Sequence, residues 1–203
     1  MGSEDNKSEH LNPAWSFKIN QIERYAFWND MFTPAECNTI IRFAKKRGLY
    51  AAKTGPQPEE NTAIRKSSVV FITPQGIEWV YQRLTDVVSA LNDQFFKFDL
   101  FGFTEGLQFT EYKAPGGKYD AHVDTIYNGV IRKLSIVVQL TDESKYQGCD
   151  LELLDDGERN PAKLPRKQGS LIAFPSYSIH RVTPITKGTR NSLVGWISGK
   201  PFT

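Results

Sequence analysis

Apolar positions along this chain change their spacing partway through. Between residues 34 and 47, Ile40, Ile41, Phe43 and Ala44 recur at helical intervals and supply one apolar face. Thr33-Pro34-Ala35-Glu36 reads as the start of that helix. Thr33 can cap, proline suits the first helical position, and Glu36 completes a capping box. Lys45-Lys46-Arg47 followed by Gly48 marks its end, the basic triplet complementing the helix dipole. A second stripe, Ile77, Val80, Tyr81, Leu84, Val87, Val88 and Leu91, predicts another helix, opened by Thr73-Pro74. That stripe is core packing. Residues 15–28 alternate loosely and are rich in aromatics, which predicts an early strand or two, and 65–72 read as a strand. From Phe98 onward the pattern shifts to short runs broken by Gly, Pro and Asp. Candidate strands are 107–112, 121–125, 134–140, 151–154, 170–174, 180–184 and 192–198. In the third of these, Leu134, Ile136, Val138 and Leu140 alternate with Ser135, Val137 and Gln139. Helices first and many short strands afterwards predict an α+β chain with an all-β core, a sandwich or a barrel. Residues 51–61, with Gly55, Pro56 and Pro58, form a long loop. Its segment 53–61 is expected to be a mobile element over a substrate.

Length and composition narrow the classes. The 203 residues suit one domain with a substantial core, and 39% hydrophobic content is that of a globular protein. A net charge of +2, with both signs mixed throughout, gives no basis for nucleic acid or an anionic membrane as partner. No apolar run is long enough to span a bilayer. Residues 1–14 read as a disordered polar tail ahead of a single domain over 15–203. The tail lacks the apolar core of a signal peptide, and Asn6 breaks the myristoylation pattern. Cys37 and Cys149 fall in different elements with no disulfide framework around them. Free thiols, and a soluble protein of the reducing cytoplasm, are expected. No oligomeric state follows from the sequence.

The chain has three histidines, of which His10 lies in the tail. His122-Val123-Asp124 places a nitrogen and an oxygen donor at i and i+2, on one face if the segment is a strand. Such a pair is more often a surface hydrogen bond than a metal site. The Gly116-Gly117 turn and the short strand after it put this one at a strand end, where sites cluster. A lone histidine opening an apolar strand, as His180 does, is more often a satisfied core residue. Taken together, two imidazoles and one carboxylate from separate strands make a 2-His-1-carboxylate facial set. Nitrogen and oxygen donors without thiolate suit Fe(II) better than structural zinc, and they leave positions open for a co-substrate and O2. In Arg190-Asn-Ser192-Leu-Val194-Gly-Trp196, alternation puts Arg190, Ser192, Val194 and Trp196 on one face. An inward arginine there needs an anion, and a guanidinium fork fits a carboxylate. An outward arginine on an edge strand is the competing reading of that segment.

The ordered set resembles the Fe(II)/2-oxoglutarate-dependent dioxygenases, most closely the prolyl 4-hydroxylase branch. Tyr112, Tyr119, His122 and Asp124 match its Tyr-x6-Tyr-x2-His-x-Asp pattern. Gly148-Cys149-Asp150-Leu151-Glu152-Leu153 resembles its Gly-Gly-x-Leu-x-Leu strand, with Cys149 in place of the second glycine. The block from Gly169 to Pro184, which holds His180, and Arg65-Lys66-Ser67 are similar to further segments of that branch. The resemblance implies a double-stranded β-helix (jelly roll) core with the N-terminal helices supporting one sheet. It implies that His122, Asp124 and His180 bind Fe(II), and that Arg190, assisted by Ser192 and Tyr112, holds the co-substrate 2-oxoglutarate. Tyr119, Trp196 and Arg65 would stand on the substrate side. Gln139 occupies the place where some relatives carry a second co-substrate tyrosine. The implied activity is hydroxylation of a prolyl residue in a protein or peptide, consuming 2-oxoglutarate and O2 and yielding hydroxyproline, succinate and CO2. A hydroxylase of a free amino acid or other small molecule, and a cupin-like metal protein without redox chemistry, are the alternatives.

Overall fold

The structure is a computed structural model that describes residues 22–53, 61–155 and 157–201. The tail expected over 1–14, the start of the 15–28 segment and residues 54–60 of the expected lid lie outside the described residues.

In chain order the elements are β1 (Ala26–Trp28), α1 (Pro34–Lys45), β2 (Tyr50–Ala51), β3 (Arg65–Lys66), β4 (Ser68–Ile72) and α2 (Glu78–Leu91), the last continued by a π-turn over Asn92–Phe96. Then come β5 (Leu100–Phe103), β6 (Leu107–Lys113), β7 (Lys118–His122), β8 (Ile126–Tyr127), β9 (Val130–Gln139), β10 (Tyr146–Gly148), β11 (Leu151–Leu153), β12 (Ala162–Lys163), β13 (Leu171–Pro175), β14 (His180–Val182) and β15 (Ile185–Gly199). The larger antiparallel sheet runs β1-β13-β9-β15-β6-β4-β2, with β5 and β10 on β15 and β8 on β9. The smaller runs β12-β11-β14-β7-β3. The architecture is α+β with a double-stranded β-helix core.

Strand β9 shows how the layers form. Leu134, Ile136 and Val138 join the cluster that packs α1 and α2 onto the larger sheet. Val137, one residue out of phase, joins a second cluster with Leu151, Leu153 and Val182 of the smaller sheet. Both faces are covered, and Ser135 and Gln139 on the face toward the smaller sheet are buried as well.

Helix α1 begins as its sequence dictates. The Thr33 hydroxyl accepts from the Glu36 N–H, and the Glu36 carboxylate accepts from the Thr33 N–H at 2.8 Å. At its other end Lys45 pairs with the buried Glu111 of β6, and Arg47 lies 3.6 Å over the Phe43 ring. Lys45 therefore ties the helix to the sheet as well as complementing its dipole.

Several expected boundaries shift, and in three the local cause is plain. Helix α2 starts at Glu78, not at Thr73-Pro74, because Gly76 takes φ +80° and breaks any helical path through it. The strand expected over 65–72 is two strands in different sheets. They divide at Ser67, whose carbonyl accepts from the Ala52 N–H. The strand expected over 121–125 is β7, and it ends at His122. Asp124 lies beyond it, its N–H donating to the Ser176 carbonyl at 2.9 Å. Among the described residues no helix is long and apolar enough to cross a membrane.

Candidate active site

The two sheets enclose a cavity of about 610 Å³. Its walls carry both histidines, Asp124 and Arg190. Register brings the donors together: on neighbouring strands β14 and β7, His180 stands directly opposite His122. Asp124 arrives by a different route, since alternation along β7 does not reach it. The Ser176 carbonyl holds its backbone, while Ser135 Oγ and Trp196 Nε1 each donate to its Oδ2 at 2.9 Å. Ser135 and Trp196 are themselves opposite one another on β9 and β15. One carboxylate oxygen is thus fixed by two protein donors. The other, Oδ1, lies 3.8 Å from His122 Nε2.

Each imidazole is set by the backbone carbonyl two residues before it. His122 Nδ1 is 2.7 Å from the Asp120 carbonyl and His180 Nδ1 is 3.0 Å from the Ser178 carbonyl. A carbonyl only accepts, so Nδ1 carries the proton and Nε2 keeps its lone pair toward the cavity. Burial first, and the neighbouring His180 second, push the His122 pKa down to about 4. It is therefore neutral at pH 7, as a metal ligand must be. Burial would raise the Asp124 pKa, yet His180, His122, Trp196 and Ser135 together hold it below the ordinary carboxylate value. One ligand atom from each of the three residues lies within 4.8 Å of the others, so the set is suited to hold a metal ion. Two imidazole nitrogens and one carboxylate oxygen with no thiolate match Fe(II) chemistry.

The other end of the cavity is built for an anion. Arg190 is 2% exposed. Its Nε donates to Gln139 Oε1 at 3.0 Å, and its Nη2 has no hydrogen-bond partner among the described residues. The Gln139 amide in turn donates to the Pro165 carbonyl at 2.9 Å, which fixes its oxygen toward the arginine. Tyr112, across the β6–β15 ladder from Arg190, places its ring 5.7 Å from the guanidinium. Burial pushes the Tyr112 phenol up to about 12, so it stays a neutral hydrogen-bonding group. Cys149 lies beside Arg190 as a buried free thiol, and burial raises its pKa. It adopts φ +58° directly after Gly148, where an added Cβ would collide with the Pro184 carbonyl.

Ser192, Val194 and Trp196 line the cavity on the same face as Arg190, while Gln139 does not line it and reaches it only through its bond to Arg190. Tyr119 stacks on His122 at 3.6 Å, and Arg65, which bonds Ser67 Oγ at 3.0 Å, lies 4.5 Å over the Tyr119 ring. Tyr50, Phe71 and Ile126 line the cavity while remaining largely exposed, so its mouth is open and apolar. Sequence reasoning missed Ser135 and Ser176, which hold Asp124. Only Ser135 left a signal, a hydroxyl on the inward face of an apolar strand.

Comparison with known proteins agrees with this geometry. Residues 107–198 match the family model described as the 2OG-Fe(II) oxygenase superfamily. That match takes in the segment that holds His122, Asp124, His180 and Arg190. A PKHD-type hydroxylase of Synechococcus sp. (strain CC9311) is 46% identical over 82 residues, which are 40% of this chain and 36% of that protein. Against that relative and two other PKHD-type hydroxylases, the chain spans 36%, 41% and 62% of their lengths. Among solved structures, a Pseudomonas putida prolyl-4-hydroxylase superposes with TM-score 0.69 at 21% identity, over 88% of this chain and 94% of its own. A Trichoplax adhaerens prolyl hydroxylase, in complex with a hypoxia inducible factor oxygen degradation domain peptide, gives 0.72 at 16% identity, over 87% and 84%. At these identities the likeness establishes the fold, which is the double-stranded β-helix of prolyl 4-hydroxylase-like oxygenases.

Proposed function

We propose that this chain hydroxylates a prolyl residue of a protein or peptide, consuming 2-oxoglutarate and O2. The observation that carries the reading is the pairing, in one cavity, of three metal-suited donors with a buried arginine whose Nη2 is unsatisfied. Fe(II) held by His122, Asp124 and His180 would supply, with 2-oxoglutarate and O2, the oxidation of an unactivated C–H bond, releasing succinate and CO2.

The remaining work belongs to the protein. Arg190, oriented by Gln139, takes the distal carboxylate of the co-substrate, with Tyr112 and Ser192 beside it. Val137, Leu151, Phe174 and Val182 wall the site with apolar surface and exclude water from the oxidant. Tyr119 and Arg65 hold the substrate side. The open mouth edged by Tyr50, Phe71 and Ile126 supports an extended polypeptide over a small molecule, which would need a closed pocket. The names of the fold neighbours support proline as the residue modified.

The test is incubation of the protein with Fe(II), 2-oxoglutarate, O2 and a library of proline-containing peptides. Expected is the gain of one oxygen atom on proline together with succinate, both lost in His180→Ala. Oxygen appearing on a free amino acid and on no peptide would reassign the substrate class, and absence of succinate under every condition would remove the oxygenase reading.

A further inference from the structure

Trp196 does not merely line the cavity, because its indole N–H is engaged by Asp124 Oδ2 at 2.9 Å. The ring that carries this N–H is itself held. The Arg132 guanidinium lies 3.9 Å over it. Glu105, in the turn between β5 and β6, grips the same guanidinium with both oxygens: Nε to Oε1 at 2.7 Å and Nη2 to Oε2 at 2.5 Å. The Arg132 and Glu105 side chains are only 9% and 13% exposed. A two-point pair in that setting fixes the plane of the guanidinium as well as its position. A fixed guanidinium plane then restrains the indole stacked on it.

We propose that Glu105 and Arg132 are positioning residues for the metal centre, acting through Trp196 on the Asp124 carboxylate. The inference rests on the metal-site reading above. Its logic is geometric. Asp124 lies beyond the end of β7, so the ladder that places His122 does not place it. Its side chain is oriented by Ser135 and Trp196, and of these Trp196 is the one whose ring is clamped from outside the ligand set. Loosening the clamp lets the indole rotate and frees the Asp124 carboxylate to turn. The histidines, each set by its own carbonyl, keep their places.

The test is Mn(II) affinity, read by electron paramagnetic resonance with no turnover involved. Glu105→Gln keeps the shape and some hydrogen bonding but removes the charge. It is expected to weaken Mn(II) binding by roughly tenfold, the usual effect of losing a partner that orients a metal ligand. Arg132→Lys keeps the charge, loses the fork and the flat stacking surface, and is expected to do the same. Trp196→Phe removes the N–H, and in its background Glu105→Gln should add little. Glu36→Ala, which breaks the capping box and the Arg83 pair far from the metal, serves as the stability control and should leave Mn(II) affinity unchanged. Wild-type affinity in Glu105→Gln, or a full additional loss when it is combined with Trp196→Phe, would overturn the proposal. Failure of the wild-type protein itself to bind Mn(II) would instead overturn the metal-site reading beneath it.

Discussion

Arg190 carries a positive charge into the core without meeting a carboxylate among the described residues. Gln139, a neutral acceptor, is its partner at Nε. Gln139→Leu would leave that buried donor unpaired. It should cost about 1–3 kcal/mol in urea unfolding while weakening 2-oxoglutarate binding. Arg190→Met removes the anchor itself. It should raise the KM for 2-oxoglutarate roughly 10- to 100-fold, as expected for loss of charge-assisted hydrogen bonds to a carboxylate, and steady-state succinate assays check this. These residues were legible in the sequence because alternation and order suffice to place them: Arg190, Ser192, Val194 and Trp196 share a face, as period two requires. The bond from Trp196 to Asp124 was not legible, since 72 residues separate the partners and only the folded sheet joins them.

Helix α1 and the turn at Gly148 show which local signals hold. The capping box was readable because all its chemistry lies within four consecutive residues. Thr33→Ala should lower stability by about 1 kcal/mol in thermal unfolding and leave metal affinity unchanged. Gly148 combines φ +71° with a Pro184 carbonyl so near that a methyl group in place of its hydrogen would overlap it. Gly148→Ala should destabilise by well over about 1 kcal/mol, because the strained backbone and the close approach act together. The start of α2 and the end of β7 escaped local reading for a related reason. A glycine at positive φ cancels the helix-opening value of Thr73-Pro74, and the Ser176 carbonyl, distant in sequence, takes the Asp124 N–H.

Across the molecule, the helices pack one face of the larger sheet and the site occupies the other. Glu111, buried on β6, pairs with Lys45 of α1 and with Lys113 of its own strand, so helix and sheet are joined through it. Burial alone would raise the Glu111 pKa, but the two lysines hold it below its ordinary value. A depressed carboxylate stabilises the fold above its unfolded pKa near 4.3 and loses that contribution as pH falls through the folded value. Both lysines reach it from solvent, so the contribution is about 1 kcal/mol. Urea midpoints should fall on acidification below about pH 4.5, and Glu111→Gln should fall less steeply while starting lower at pH 7. The layered α+β plan was readable from the two periods of the sequence. The division of residues 65–72 between two sheets was not, because nothing local marks Ser67 as the crossing point.

The measurement that bears most directly on the site is succinate formation from 2-oxoglutarate by the anaerobically Fe(II)-loaded protein after O2 is admitted. Stoichiometric succinate in the wild type, none in His180→Ala or Asp124→Ala, and recovery in Arg190→Met only at high 2-oxoglutarate is the expected pattern. Equal succinate in wild type and His180→Ala, or none in either, would contradict the assignment of His122, Asp124 and His180 to the iron and of Arg190 to the co-substrate.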